Sequence, residues 1–222
     1  MGNESSLPSV SVQADKLIRL GVPQILGQST TQVKEAALAL EQDLKGSGVE
    51  ALLVPSQSPI AYADLLALVQ HQGKNGFVVE DFVDSAEFIP VVGPGPEPVL
   101  LPDSPWYLLI CPKRGDEFQN ASPAEALASI SSANQFPLTI TEGIFWLLQL
   151  PEVLERNHCF MTIGSRKPKG NGVFDSRTPA LWISNGTGRD GSANRDAPKL
   201  GWCWWNNRHT WLGIAYAQQR VG

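Results

Sequence analysis

Cysteine, histidine, methionine and long apolar runs are all scarce in this chain, and each scarcity excludes something. Three cysteines in 222 residues, Cys111, Cys159 and Cys203, are too few and odd in number for a disulfide scaffold. That usage points to a reducing compartment, so a cytoplasmic location is expected. The sequons at Asn3, Asn120 and Asn185 then carry no meaning. No stretch approaches the roughly 18 consecutive apolar residues of a membrane span, and no membrane association is expected. Residues 1–6 lack the cationic and apolar regions of a secretory signal. Gly2 and Ser6 fit the loose myristoylation pattern, but a short flexible polar tail over residues 1–10 is the preferred reading. There is no heptad, internal repeat or low-complexity tract. A hydrophobic content of 42% with mean hydropathy −0.11 belongs to a soluble globular protein with room for a full core.

Charge is unevenly spread. Residues 1–155 carry 7 basic and 19 acidic side chains, a net −12, and residues 156–222 carry 10 and 3, a net +7. Such asymmetry means either an anionic partner for the basic part or complementarity between the two parts. Because the basic residues are scattered singly apart from Arg166–Lys169, the second reading is preferred.

Local signals divide the chain into an N-terminal α/β segment, 11–98, and a C-terminal α+β segment, 99–222. These form two domains or one compact fold. Leu17 and Leu20 lie on a first helix, with Gly21 suited to its left-handed end. Ser29 and Gln32 have capping-box spacing before Val33, Ala37, Leu40 and Leu44. A buried strand is expected over 49–54, a helix over 61–71, and strands over 77–80 and 88–92. Gly93-Pro94-Gly95-Pro96-Glu97-Pro98 excludes helix and central strand, and reads as a linker or surface loop. A strand over 106–111 follows, then Ser122-Pro123 as N-cap and first helical residue. Thr139 and Glu142 form another capping-box pair. Beyond Cys159 the texture changes to four short strands, 159–163, 180–184, 200–205 and 208–215, simplest as an antiparallel meander.

Residues 198–216 concentrate aromatics: Trp202, Trp204, Trp205 and Trp211 with Cys203, Arg208 and His209. Asn206-Asn207 fits a two-residue type I′ turn. That hairpin places Trp202, Trp204, His209 and Trp211 on one face. Such a face either binds something flat or sugar-like or packs as the core of the sheet. The binding reading adds Arg166 and Arg208 as cleft cations and requires Trp204 and Trp211 to be partly exposed.

Catalytic chemistry is less legible. His158, His209, Glu142 and Asp116 are candidate acid–base groups, with Cys159 and Cys203 as thiols, but no linear motif joins them. A Gly-x-Ser-x-Gly elbow is absent. Metal is not expected: there is neither a Cys-x-x-Cys knuckle nor a spaced His pair, and the hairpin parts Cys203 from His209. Gly186–Gly191 satisfies Gly-x-Gly-x-x-Gly without the helix that must follow, so no nucleotide cofactor is expected. An acidic chain without helix-turn-helix or zinc-finger signatures argues against sequence-specific nucleic-acid binding.

Asn157-His158-Cys159-Phe160, Gly164-Ser165-Arg166, Pro179–Ser184, Ala197–Trp204 and Asn207–Gly213 resemble an uncharacterised family of mainly actinobacterial proteins. Arg114–Phe118 and Leu138–Gly143 are similar to the same family, and the likeness is specific from about Trp106 onward. It implies a bacterial protein and no particular activity. Against that pattern the loops 167–178 and 186–194 look long, which makes their residues poorer site candidates.

The expected fold is α+β, with helices packed on a C-terminal antiparallel sheet that carries the Trp-rich hairpin. The expected function is noncatalytic binding of a small polar or anionic ligand, or of a protein, in an aromatic and basic cleft. The alternative is a hydrolase or transferase using His158 or His209 with a carboxylate or cysteine.

Overall fold

The computed structural model describes residues 6–56, 61–91 and 101–222, and the Pro-rich segment 93–98 lies outside them. The chain is tied down from Leu7, whose N–H donates to Glu50 Oε1 at 2.7 Å. Helix α1 (Val10–Arg19) follows, and Gly21, at φ +79°, turns the chain into the short α2 (Val22–Ile25). Helix α3 (Thr30–Asp43) starts at the capping box that Ser29 and Gln32 foretell: Ser29 accepts from the Gln32 N–H, and Gln32 reaches back to the Ser29 N–H. Strand β1 (Ala51–Pro55) is buried along its length.

The helix expected over 61–71 is shorter. Helix α4 spans only Tyr62–Leu66, and β2 (Gln70–His71) pairs back on β3 (Lys74–Asn75). Gln72 and Gly73 both take positive φ, the requirement of a two-residue hairpin turn, and this local chemistry overrides the helical apolar spacing. Next come β4 (Phe77–Val78), β5 (Ile89–Pro90) and β6 (Trp106–Ile110). Helix α5 (Pro123–Ser132) begins at Ser122, whose side chain accepts from the Glu125 N–H. After β7 (Phe136–Pro137), α6 (Ile140–Gln149) starts at a third capping box, Thr139 with Glu142. The remaining strands are β8 (Cys159–Met161), β9 (Ser165–Arg166), β10 (Arg177–Ile183), β11 (Pro198–Trp204), β12 (Leu212–Ile214), β13 (Tyr216–Ala217) and β14 (Gln219–Val221).

The architecture is α+β. One sheet runs β1-β6-β14 and a second runs β12-β8-β10-β11-β4, with three two-stranded pairs beside them. Every residue of α6 is buried, Glu142 and Gln149 included, and the helix touches β1 of the first sheet and β10 of the second. A Cβ at Gly143 would stand 2.7 Å from Thr162 Cγ2, so the glycine sets how closely this helix meets the sheet. No helix among the described residues is long and apolar enough to cross a membrane.

Two expectations need correction. The Trp-rich hairpin does not form: β8 and β10 stand between β11 and β12. A type I′ turn needs positive φ at both central residues, and neither Asn206 nor Asn207 adopts it. Strand β11 instead pairs along its whole length with β10, from Arg177↔Trp204 to Ile183↔Pro198. The antiparallel meander is also incomplete, because β12 runs parallel to β8 and β4 runs parallel to β11.

The charge asymmetry is expressed inside the molecule. Arg177 and Lys167 bind Asp84, Arg208 binds Glu125, and Arg220 binds Glu142. Basic residues of the C-terminal part thus meet acidic residues of the earlier part.

Candidate functional site

The capping box at Ser122 fixes the start of α5, and Pro123 occupies its first turn. From there Ala124, Leu127, Ala128 and Ser131 fall at i, i+3, i+4 and i+7, one stripe of a helix. The stripe forms one wall of a cavity of about 610 Å³, with Gly172, Val173 and Phe174 opposite and Arg166 and Trp205 completing it. The loop wall is held by backbone turns. Val173 N–H donates to Gly170 O, Lys169 N–H donates to Val173 O, and Asn171 and Gly172 both take positive φ. Trp205 is anchored by its backbone N–H, which donates to Ser176 O at 2.7 Å.

Arg166 belongs to β9, which pairs with β5, and only 7% of it is exposed. Its guanidinium carbon sits 3.7 Å from the centre of the Trp205 ring and 5.3 Å from that of Phe174. Nη2 donates to the Asp175 carbonyl at 2.8 Å. Nε is fully buried and has no partner among the described residues. The Asp175 carboxylate faces Arg177 and Lys169 instead. Burial pulls the Arg166 pKa down to about 10, opposed by the nearby Asp175 charge, so the group stays cationic at neutral pH. The site is therefore a buried cation, stacked on aromatic rings, beside a mainly apolar cleft and without a hydrogen-bonded carboxylate.

The other expected site residues scatter. Trp202 and Trp204 stack edge to face at 4.6 Å, and Trp204 is 45% exposed. Trp211 packs on Trp182 and on His209. Gly201 lies against the Trp182 ring, so Trp182 occupies the Gly201 face of the sheet and Trp202 and Trp204 the opposite one. The single face of Trp202, Trp204, His209 and Trp211 is thus split, because the hairpin that would have built it is absent. Arg208 is engaged by Asn120 O and Glu125 outside the cleft.

Glu142 is fully buried. It accepts from Tyr107 Oη at 2.8 Å, from the Thr139 N–H at 2.7 Å and from Arg220 through both carboxylate oxygens. Burial pushes its carboxyl up, but Arg220 and these donors hold it below the usual range. Asp116 is clasped by Arg114. His158 is exposed, and His209 has a buried Nε2 without a partner and a pKa lowered by burial. No hydrogen bond joins either histidine side chain to a carboxylate or thiol among the described residues. Burial raises the Cys159 and Cys203 thiols to about 11, far from the thiolate a nucleophile needs. Among the described residues no group of three or more His, Cys, Asp and Glu side chains converges. Gly186–Gly191 is followed by short 3₁₀ turns and then β11, with no α-helix to receive a pyrophosphate.

Of the expected binding residues, the cleft keeps Arg166 alone. Trp205, Phe174, Val173 and the α5 stripe were not anticipated. Only the stripe's helical spacing and the position of Trp205 within the aromatic block could have signalled them.

A family model described as a family of unknown function, DUF5701, matches residues 16–222, so the likeness seen from about Trp106 extends through most of the N-terminal half. No curated protein and no solved structure matches the chain. The chain belongs to the DUF5701 family.

Proposed function

We propose that this member of the DUF5701 family is a noncatalytic binding protein whose ligand enters the cleft between α5 and the Gly172–Phe174 loop. The observation that carries the reading is Arg166, a buried guanidinium stacked on Trp205 at the edge of a cavity of about 610 Å³. Cavities of this size, apolar with a few placed polar groups, are the usual form of small-molecule sites. Among the described residues the polar side-chain groups of its lining are the Arg166 guanidinium, the Ser131 hydroxyl and the Trp205 indole N–H. None is a general base at neutral pH, which favours binding over turnover. The free thiols of Cys111, Cys159 and Cys203 support a cytoplasmic setting.

A thermal-shift screen of small organic acids, followed by amide chemical-shift mapping of the hits, tests this. Shifts are expected to concentrate on residues 124–131, 166, 172–174 and 205. Ala128→Trp is exposed enough to fold and large enough to fill the cleft, and is expected to abolish them. Hits that map elsewhere and survive Ala128→Trp refute the assignment.

A further inference from the structure

We infer that the cleft selects an organic monocarboxylate with an apolar body, its carboxylate on Arg166 and its body between α5 and the Gly172–Phe174 loop. The inference rests on the binding reading above and adds the chemistry of the ligand.

The charge of the ligand follows from Arg166. A buried cation is costly unless a counter-charge and hydrogen bonds compensate it. Here the compensation is partial: one carbonyl takes Nη2, two aromatic faces take the planar surface, and the Asp175 charge acts on the group without a hydrogen bond from its carboxylate. Among the described residues no Asp or Glu lines the cavity. Asp175, whose charge acts on Arg166, has its oxygens directed to Arg177 and Lys169. An anion entering the cleft would supply what the protein has left out.

The size of the charged group follows from the donors. Nη2 gives one of its two N–H groups to Asp175 O and Nε is sealed, so Nη1 is the guanidinium nitrogen with both N–H groups left for a ligand among the described residues. Phosphate dianions are recognised by several donors, most strongly by charged ones, and among the described residues Arg166 is the basic side chain of the cavity, with the Ser131 hydroxyl and the Trp205 indole N–H as neutral donors in the lining. One carboxylate oxygen on Nη1 fits this supply. Anion sites built for phosphate gather several basic side chains, whereas among the described residues this lining has Arg166 alone.

The apolar body follows from the walls. Ala124, Leu127, Ala128, Val173 and Phe174 are apolar, and Val173 is 57% exposed on the loop wall. Covering that surface rewards alkyl or aryl carbon. Acetate alone would satisfy the charge and leave the walls wet.

Isothermal titration of the full chain with octanoate, octan-1-ol and octyl phosphate decides the question. Octanoate is expected to bind at least about tenfold more tightly than octan-1-ol, the worth of one hydrogen bond to a charged group. Octyl phosphate is expected to bind no more tightly than octanoate. Arg166→Gln is expected to bring octanoate and octan-1-ol within about twofold of each other, and Ala128→Trp to remove both. The wild-type ratio stands even where Arg166→Gln fails to fold. Equal binding of octanoate and octan-1-ol, both lost in Ala128→Trp, overturns the carboxylate and leaves the cleft as a binding site. A tenfold preference for octyl phosphate also overturns it. Octanoate binding that is undiminished by Ala128→Trp overturns the cleft itself.

Discussion

Replacing Arg220 by methionine is expected to destabilise this protein more than any single charge change at its surface. Arg220 sits on β14 and is 5% exposed at its side chain, and its partner Glu142 on α6 is wholly buried. Three elements hold that carboxylate: Arg220 through Nε and Nη2, the Tyr107 hydroxyl, and the Thr139 N–H. Removing the guanidinium strands an anion in the core, which costs about 3–5 kcal/mol. The loss depends on pH with a definite sign. In the wild type the Glu142 carboxyl is held below its usual value, so its stabilisation is present above the unfolded pKa and fades as pH falls through the folded one. In the variant the Tyr107 hydroxyl and the Thr139 N–H alone oppose burial, which raises the carboxyl relative to the wild type. Its penalty is then present at neutral pH and is relieved by protonation as pH falls. Both changes narrow the gap between the two proteins on acidification. Urea unfolding followed by tryptophan fluorescence at pH 7 and near pH 4.5 measures the gap directly. Adding Glu142→Gln to Arg220→Met removes the stranded charge and is expected to recover part of the loss. A gap under about 1 kcal/mol at pH 7, or one unchanged at pH 4.5, refutes the reasoning.

Gly115→Ala is expected to cost about 2–4 kcal/mol in the same assay. Gly115 is at φ +73°, and a Cβ there would fall on the Ile214 carbonyl, which is backbone and cannot swing aside. Asp84→Asn tests the cross-segment ion cluster. Hydrogen bonding from Arg177, with help from Lys167, pulls Asp84 down to about 2. Its stabilisation is present above the ordinary aspartate pKa and lost as pH falls toward 2, so the variant should lose about 1 kcal/mol at pH 7, after solvent screening, and match the wild type in strong acid. Cys159 and Cys203, with thiols near 11, are expected to resist iodoacetamide in the native protein at pH 8 and to react once it is unfolded. Peptide mass spectrometry reads both states, and rapid native labelling of either thiol contradicts the assignment.

Features that depend on a few adjacent residues were legible in the sequence. Ser29 with Gln32, Ser122 with Pro123, and Thr139 with Glu142 each start a helix where the capping chemistry demands it. The α+β class and the internal use of the charge asymmetry were legible too. Strand pairing was not. Asn206-Asn207 permits a tight turn without requiring one, and seven ladder positions with β10 outweigh a short local hairpin for β11. The cleft suffered for the same reason. Arg166 stands out as a cation, but its ring partner Trp205 falls outside the aromatic face that an Asn206-Asn207 hairpin would build. The Gly172–Phe174 wall lay in a loop that looked too long to matter. What joins them is tertiary: β9 is aligned by β5, and α5 is brought opposite a loop about forty residues later in the chain.

The central claim is that Arg166 is held ready for a ligand's carboxylate. A crystal structure of the protein with octanoate tests it most directly. The carboxylate is predicted within hydrogen-bond distance of Arg166 Nη1, with the alkyl chain along Leu127 and Val173. Octanoate bound elsewhere, or a carboxylate of the protein itself seated on Arg166, would contradict it.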